Sequence, residues 1–453
     1  MRKRETWGSK LGFILAAAGS AVGLANIWRF PYIVGAGGGG AFLIVYLICL
    51  LLIGFPVFIA EALIGRSTYL SPADAFEKLG KKKYWGWLGT LVILTGFMVS
   101  AFYSAVAAWI VGYLYEAAAG NLIQFDNPSD SRIYYSSLIA NPWWTVGFHL
   151  IFIGLCTSIL IFGVRGGIEK GNKIFMPLLY IVLFLLVGKS LSMPGSWEGV
   201  RYLFIPDWSK LNHTLFLTAL GQAFFTLSLG QGTMTTYGSY LKHKENMLTS
   251  CMPVAFMDTM VSLFAAVAVF GIVFAVGLEP NAGPGLIFHT LPLVFSKVSG
   301  GYLLGVLFFL LVFLAAVTSE ISAMEPAVAY LIDHYHWKRK HAVLIVGLGG
   351  ALLGIPCALS TNVLSGMTLG GATFLEMMDL IATSVLIPLG GLLAIILVGW
   401  VWGADKAIAH LKDGAEEFLT KFPLVATYFR ICFKYVSPIL ILFVFLNAIG
   451  VFG

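Results

Sequence analysis

Apolar residues run along this chain in blocks of about 17 to 32, the length that carries a helix across a bilayer, and charged residues collect in the gaps between them. The blocks fall near 11–35, 40–65, 86–117, 144–163, 174–192, 214–240, 247–277, 300–332, 342–358, 381–402 and 435–452. The pattern predicts an all-α integral membrane protein with eleven transmembrane helices. Two blocks are interrupted by polar residues and glycine: the first by GSAVGLANIWRFPY, Gly19 to Tyr32, and the sixth by SLGQG, Ser228 to Gly232. Unwinding a helix inside lipid frees amides and carbonyls that need partners, so a break is tolerated only where it lines a cavity. When the first five spans are set against the next five, each break lies in the leading helix of its half. Broken helices at matched positions point to a substrate site near the bilayer midplane. By contrast GLGGALLG, Gly347 to Gly354, reads as small-residue helix packing.

Composition agrees with the pattern, since 58% of residues are hydrophobic and 11% charged, against roughly 25% charged in soluble domains. Placing the N-terminus inside assigns 22 of the 28 Lys and Arg to cytoplasmic segments, and eleven spans then put the C-terminus outside. The net charge of +6 follows from that asymmetry and requires no nucleic-acid partner. The expected location is the inner (plasma) membrane of a prokaryote, with no removable signal peptide before the first span. The five cysteines lie in or beside apolar blocks, which predicts packed thiols rather than disulfides. The longer outer segments lie near 118–143, 193–213 and 278–299, and in the last of these EPNAGPG precedes an apolar LIFHTLPLVF that is able to fold back as a lid.

The breaks suggest their own chemistry. Freed carbonyls with the oxygens of Asn26, Ser20 and Thr226 suit a hard cation such as sodium. Half-helix N-termini suit a carboxylate. A cation and a carboxylate together imply coupled uptake of an acid-bearing solute. Glu61, Asp258, Glu320 and Glu325 lie within spans, where an unpaired charge costs a few kcal/mol or more. Glu61 and Asp258 are assigned to the mechanism; Glu320 has no assigned role. An enzyme is not expected: there is no H-E-x-x-H or G-x-S-x-G, His334 and His336 sit in a basic loop, and GVRGGIEKG follows a membrane span rather than a strand.

WGSKLGFILAAAGSAVGLANIWRFPY, GQAFFTLSLG and VTSEISAMEP resemble the neurotransmitter:sodium symporter family, in its bacterial amino-acid branch, and the resemblance extends over essentially the whole chain. It implies an inverted five-plus-five repeat with unwound first and sixth helices, two sodium sites, no organic cofactor and a central site for a small amino-acid substrate. The first repeat is placed at about 11–192, the second at about 214–402 and an extra eleventh helix at about 435–452. The family usually has twelve spans, so a dimer contact built on the twelfth has no counterpart here, and a monomer or weak homodimer is expected. The resemblance assigns the first sodium to the Ala21 carbonyl, Asn26, Thr226 and Asp258, and the second to the Gly19, Val22 and Ala315 carbonyls with the Thr318 and Ser319 hydroxyls. It places the substrate against Ser20, Ala21, Ala25, Val99, Tyr103, Phe225, Thr226, Ser228, Gln231, Ser319, Ser322 and Ala323. Tyr103 is to bond the carboxylate and close an aromatic lid with Phe225. Arg29 and Asp379 resemble an outer gate, and Arg4, Trp7, Tyr240 and Asp333 an inner one, while Glu61 matches a buried acid that accepts bonds from the unwound sixth helix.

Taken without the resemblance, Tyr103 and Phe225 also fit a packed core, the hydroxyls of Thr318 and Ser319 also fit bonds to their own preceding turn, and Arg4 with Trp7 also fits an interfacial anchor. Three positions refine the reading. Gly23 stands where the family's monoamine carriers have an aspartate, which favours an amino acid over a monoamine. Asp258 stands where asparagine is usual, while Ser262, Tyr46, Gln222 and Thr226 match the chloride site of animal members. A fixed carboxylate there replaces the anion and predicts chloride-independent transport. Gln231 stands where a large apolar residue is frequent, and Ala25 where glycine is usual, so the side-chain pocket accepts a neutral amino acid, with polar or aromatic ones included. The competing readings are another small solute such as betaine or a monoamine, proton coupling, a channel, or a sensor that binds without flux.

Overall fold

The computed structural model describes residues 4–242, 244–276 and 287–451. Among them, nine helices are long and apolar enough to cross a membrane unbroken: Gly40–Thr68, Lys83–Ala118, Pro142–Ile161, Val164–Leu191, Met247–Ala275, Gly301–Asp333, Arg339–Leu359, Phe374–Val401 and Pro423–Ala448. Two broken spans complete the eleven. The first is Lys10–Ala21 followed by Ala25–Ala36, bent by 55°. The sixth is His213–Phe225 followed by Thr233–Ser239. The expected architecture is therefore present, an inverted five-plus-five repeat whose two leading helices are unwound at mid-length, with an eleventh helix packed on the second, sixth and tenth.

Three boundaries differ from the hydropathy reading. The fifth span starts at Val164, ahead of Arg165, Glu169 and Lys170, because the Glu169 carboxylate is held by the Gly8 N–H, the Ser9 hydroxyl and Lys173. The tenth and eleventh spans also begin earlier, at Phe374 and Pro423. The tenth opens on a reciprocal cap, in which Glu376 N–H bonds the Thr373 hydroxyl and the Glu376 carboxylate accepts from Thr373 N–H. All five cysteines are free and buried. EPNAGPG, residues 279–285, lies outside the described residues, so the lid expectation rests on the following helix, Thr290–Lys297. That helix buries Leu291 to Phe295 and packs on the eighth span.

Close approach between the second and sixth spans positions the site. The half-helix Thr233–Ser239 lies against Ala62 and Gly65, where a Cβ on Gly65 would stand 1.8 Å from the Thr235 carbonyl oxygen. Backbone, not a movable side chain, occupies that space. Gly65→Ala is expected to lower the midpoint of thermal unfolding in detergent, at an overpacking cost of about 1–3 kcal/mol; an unchanged midpoint would show that the two helices separate freely.

Candidate functional site

The first span unwinds after Ala21. Val22 leaves the helix in an extended conformation, Gly23 and Leu24 turn the chain, and Ala25 restarts it. In the sixth span, Ser228 (φ +53°), Gly230 (φ +77°) and Gly232 (φ +80°) take left-handed backbone that no helix accommodates. Glu61 on the second span accepts the freed Gly230 N–H at 2.7 Å. The Ser228 hydroxyl donates to the Ser20 carbonyl at 2.8 Å and ties the two breaks together.

Between the breaks lies a cavity of about 60 Å³. Its wall contains Ser20, Ala21, Ala25, Val99, Tyr103, Phe225, Ser228, Gln231, Ser319 and Ala323 from the expected substrate set, and adds Gly23, Leu24, Leu229 and Ile387, which sequence reading did not single out as contacts. Thr226 and Ser322 do not line it. Thr226 faces Asp258, and the Ser322 hydroxyl meets Ser20 Oγ at 2.7 Å and the Ser319 carbonyl at 2.7 Å. Among the described residues, no Asp, Glu, Lys or Arg side chain lines the cavity. A Cβ on Gly23 would lie 2.9 Å from Ser319 Oγ and 3.5 Å from the Tyr103 hydroxyl, so both groups crowd the turn of the first span. The helix ends facing the cavity carry opposite partial charges: negative at Ala21 and Phe225, where helices stop, and positive at Ala25, where one begins.

Two oxygen clusters flank the cavity. In the first, Asn26, Thr226 and Asp258 come together: the Asn26 amide donates to Asp258 Oδ1 at 2.6 Å and to Ser262 Oγ at 2.8 Å, and the Thr226 hydroxyl donates to Asp258 Oδ2 at 2.8 Å. Asn26 Oδ1 accepts the Gly23 N–H at 2.9 Å, so coordination of a cation through this oxygen requires the amide to exchange partners. Asp258 is fully buried and forms no ion pair with a cationic side chain among the described residues. The buried Gln222 amide, part of the chloride-like set with Tyr46 and Ser262, has no hydrogen-bond partner on either atom.

In the second cluster, Ser319 Oγ lies 3.4, 3.3 and 3.1 Å from the Gly19, Ser20 and Val22 carbonyls. Thr318 donates back to Leu314 at 3.2 Å and Ala315 at 3.1 Å, as its simplest reading foresaw, and this brings its hydroxyl to the Ala315 carbonyl named for the same cation. The second cluster is built from oxygen alone, the ligand type of hard cations, and the first offers the oxygens of Thr226 and Asp258 around the Asn26 amide nitrogen. Sequence reading missed Asn172, whose buried Oδ1 has no partner and lies 2.1 Å from where a Cβ on Gly19 would stand.

The two ends of the molecule differ. At one, Arg4 pairs with Asp333 and lies over the Tyr240 ring, and Trp7 bonds the Tyr240 and Tyr237 carbonyls at 3.1 and 3.0 Å. Beside them, and not anticipated, the Arg339 guanidinium clasps Glu325 with two bonds of 2.9 and 2.8 Å, and the Tyr240 hydroxyl donates to the same carboxylate at 2.7 Å. At the other end Arg29 and Asp379 do not form an ion pair; both are exposed, and the Arg29 guanidinium stands 5.7 Å from the centroid of the Phe225 ring. The Arg4–Asp333 set is thus closed and the Arg29–Asp379 pair is unmade. Glu320, fully buried, receives the Ser100 hydroxyl on one oxygen and has no partner on the other.

A model of the sodium:neurotransmitter symporter family matches residues 4–127 and 141–452. An uncharacterized sodium-dependent transporter of Bacillus subtilis is 37% identical over 99% of both chains. The sodium-dependent serotonin transporter of Drosophila melanogaster is 27% identical over 99% of this chain and 77% of its own. Among solved structures, the crystal structure of MhsT in complex with L-phenylalanine superposes with a TM-score of 0.88 at 40% identity, over 98% of this chain and 100% of that one.

Proposed function

Because the chain belongs to the sodium:neurotransmitter symporter family, whose members carry small molecules across membranes with sodium, we propose that it imports a neutral amino acid with sodium by alternating access and without chloride. The observation that carries this reading is the cavity wall, which brings helix ends of both signs together and has no charged side chain. A zwitterion supplies its own two charges and matches such a wall; a monoamine leaves its ammonium without a counter-charge there. L-Phenylalanine, present in the MhsT complex, is of the same class.

In this reading the carboxylate lies at the turn of Gly23 and Leu24 beside Tyr103, and the ammonium faces the carbonyls that end the half-helices at Ala21 and Phe225. One sodium is held by Asn26, Thr226, Asp258 and the Ala21 carbonyl, with the substrate carboxylate as a further ligand. A second is held by the Gly19, Val22 and Ala315 carbonyls with Thr318 and Ser319. The N-terminus is cytoplasmic, so the Arg4 and Glu325 clusters close the inner side, while Arg29 and Asp379 face outward. The repeats then rock about the site.

The test is uptake of radiolabelled amino acids by purified protein in liposomes under an inward sodium gradient, with chloride or with gluconate. Saturable, sodium-driven and chloride-indifferent accumulation of neutral amino acids is the expected result, and no sodium-driven signal across the panel would refute the reading. Thr318→Ala is expected to raise the sodium concentration for half-maximal uptake about tenfold or more, the loss of one oxygen to a charged partner. Its thermal stability should barely move, since the hydroxyl bonds only its own helix.

A further inference from the structure

The unwound stretch of the sixth span fixes where Gln231 sits. Gly230 on one side is held by the Glu61 carboxylate, and a Cβ there would stand 2.0 Å from the Ile387 carbonyl oxygen. Gly232 on the other side is also left-handed, at φ +80°. The Gln231 carbonyl in turn lies 2.7 Å from where a Cβ on Gly96 would stand, so the backbone is gripped from three sides. The side chain is left in the cavity wall, 7% exposed. Val99, Ala323 and Ile387 on the same wall have no polar side-chain atoms. Gln231 Oε1 is buried with no hydrogen-bond partner, and the amide nitrogen makes no hydrogen bond among the described residues.

A buried carboxamide oxygen without a partner is unfavourable and rare in folded proteins. In the wall of a binding cavity it is completed when the ligand brings the missing donor and acceptor. We propose that Gln231 selects neutral amino acids whose side chain ends in a hydrogen-bonding group, a carboxamide or a hydroxyl, over apolar ones of matching size. The inference rests on the amino-acid reading above and narrows it. The amide presents an oxygen and an NH2, and a half-turn exchanges them, so it serves a hydroxyl or another carboxamide equally. A site with such a group discriminates strongly against an analogue that leaves it unpaired, whereas one extra methylene in an apolar pocket changes affinity far less.

The test is competition binding to the purified wild-type protein in sodium, with the matched pairs glutamine and methionine, tyrosine and phenylalanine, threonine and valine. The polar member of at least one pair is expected to bind about tenfold tighter or more. Gln231→Met, with Gln231→Leu as a second variant, should bring that ratio close to one or invert it, while binding of the preferred ligand still requires sodium. If the wild type prefers the apolar member of every pair, or if the polar preference survives both variants, Gln231 is not the selector, and sodium-driven amino-acid transport still stands. If no amino acid binds in a sodium-dependent way, the amino-acid reading and this inference fall together.

Discussion

Asp258→Asn is expected to cut chloride-free, sodium-driven uptake by at least about tenfold and to make the remaining activity respond to chloride. Asp258 is fully buried, and its carboxylate meets an amide and a hydroxyl rather than a cationic side chain. A lone charge at this depth is costly unless an ion balances it. A sodium about 4 Å away gains on the order of 4 kcal/mol from a unit negative charge at the effective dielectric of partly hydrated protein sites. Neutralising the carboxylate removes that attraction and keeps the size and planar shape of the group, with the new NH2 able to donate to the Thr226 hydroxyl in place of the bond that hydroxyl now gives. The chloride-like set of Tyr46, Gln222, Thr226 and Ser262 stays in place, and the Gln222 amide is without a partner, so an anion has donors to meet. Initial uptake rates in chloride and in gluconate, measured over a range of sodium, check the prediction. A variant as active and as chloride-indifferent as the wild type, with the same sodium dependence, would remove Asp258 from the charge balance.

The central site was legible because its chemistry is written in exceptions to an apolar pattern. Glycine, serine, asparagine and glutamine inside two otherwise apolar blocks have no use in lipid, and the structure unwinds at those residues. Tyr103 and Phe225 could not be told from core aromatics by residue type, since a wall position depends on which neighbour stops short of filling the space. Leu24, Leu229 and Ile387 line the same cavity and carry no polar signal at all. Charged residues near span ends were the harder case. Hydropathy assigns Arg165, Glu169 and Lys170 to a loop, yet the chain is already helical there because the N-terminal segment brings Gly8 and Ser9 to Glu169. Glu325 was visible as an intramembrane acid, but its partner Arg339 counts in a linear reading as one more cytoplasmic positive charge. Only the turn between the eighth and ninth spans brings the two together.

That pair underlies the last prediction. The Glu325 side chain is 0% exposed and the Arg339 side chain 12%, so neither ion is compensated by bulk water. Arg339 also donates to the Leu160 carbonyl at 3.0 Å and approaches Glu5 at 3.7 Å, which joins the N-terminal segment, the fourth span and the start of the ninth to the C-terminal part of the eighth. Removing one partner of such a pair leaves an uncompensated buried charge, at about 3–5 kcal/mol. Arg339→Met is therefore expected to lower the thermal unfolding midpoint and to reduce uptake more than tenfold. It should also speed labelling of a cysteine introduced near Trp7, because Glu325 keeps only Tyr240 and water becomes its best alternative partner. By comparison, breaking Arg430–Asp405, whose side chains are 44% and 72% exposed, should change little. The double variant Arg339→Met with Glu325→Gln separates charge from shape. Removing both charges of a buried pair is often close to neutral, so the double variant should recover most of the stability lost by the single one and remain easier to open at the inner side. If the double variant is as unstable as Arg339→Met alone, the guanidinium serves as packing and as a donor to Leu160, and the inner closure does not depend on this charge.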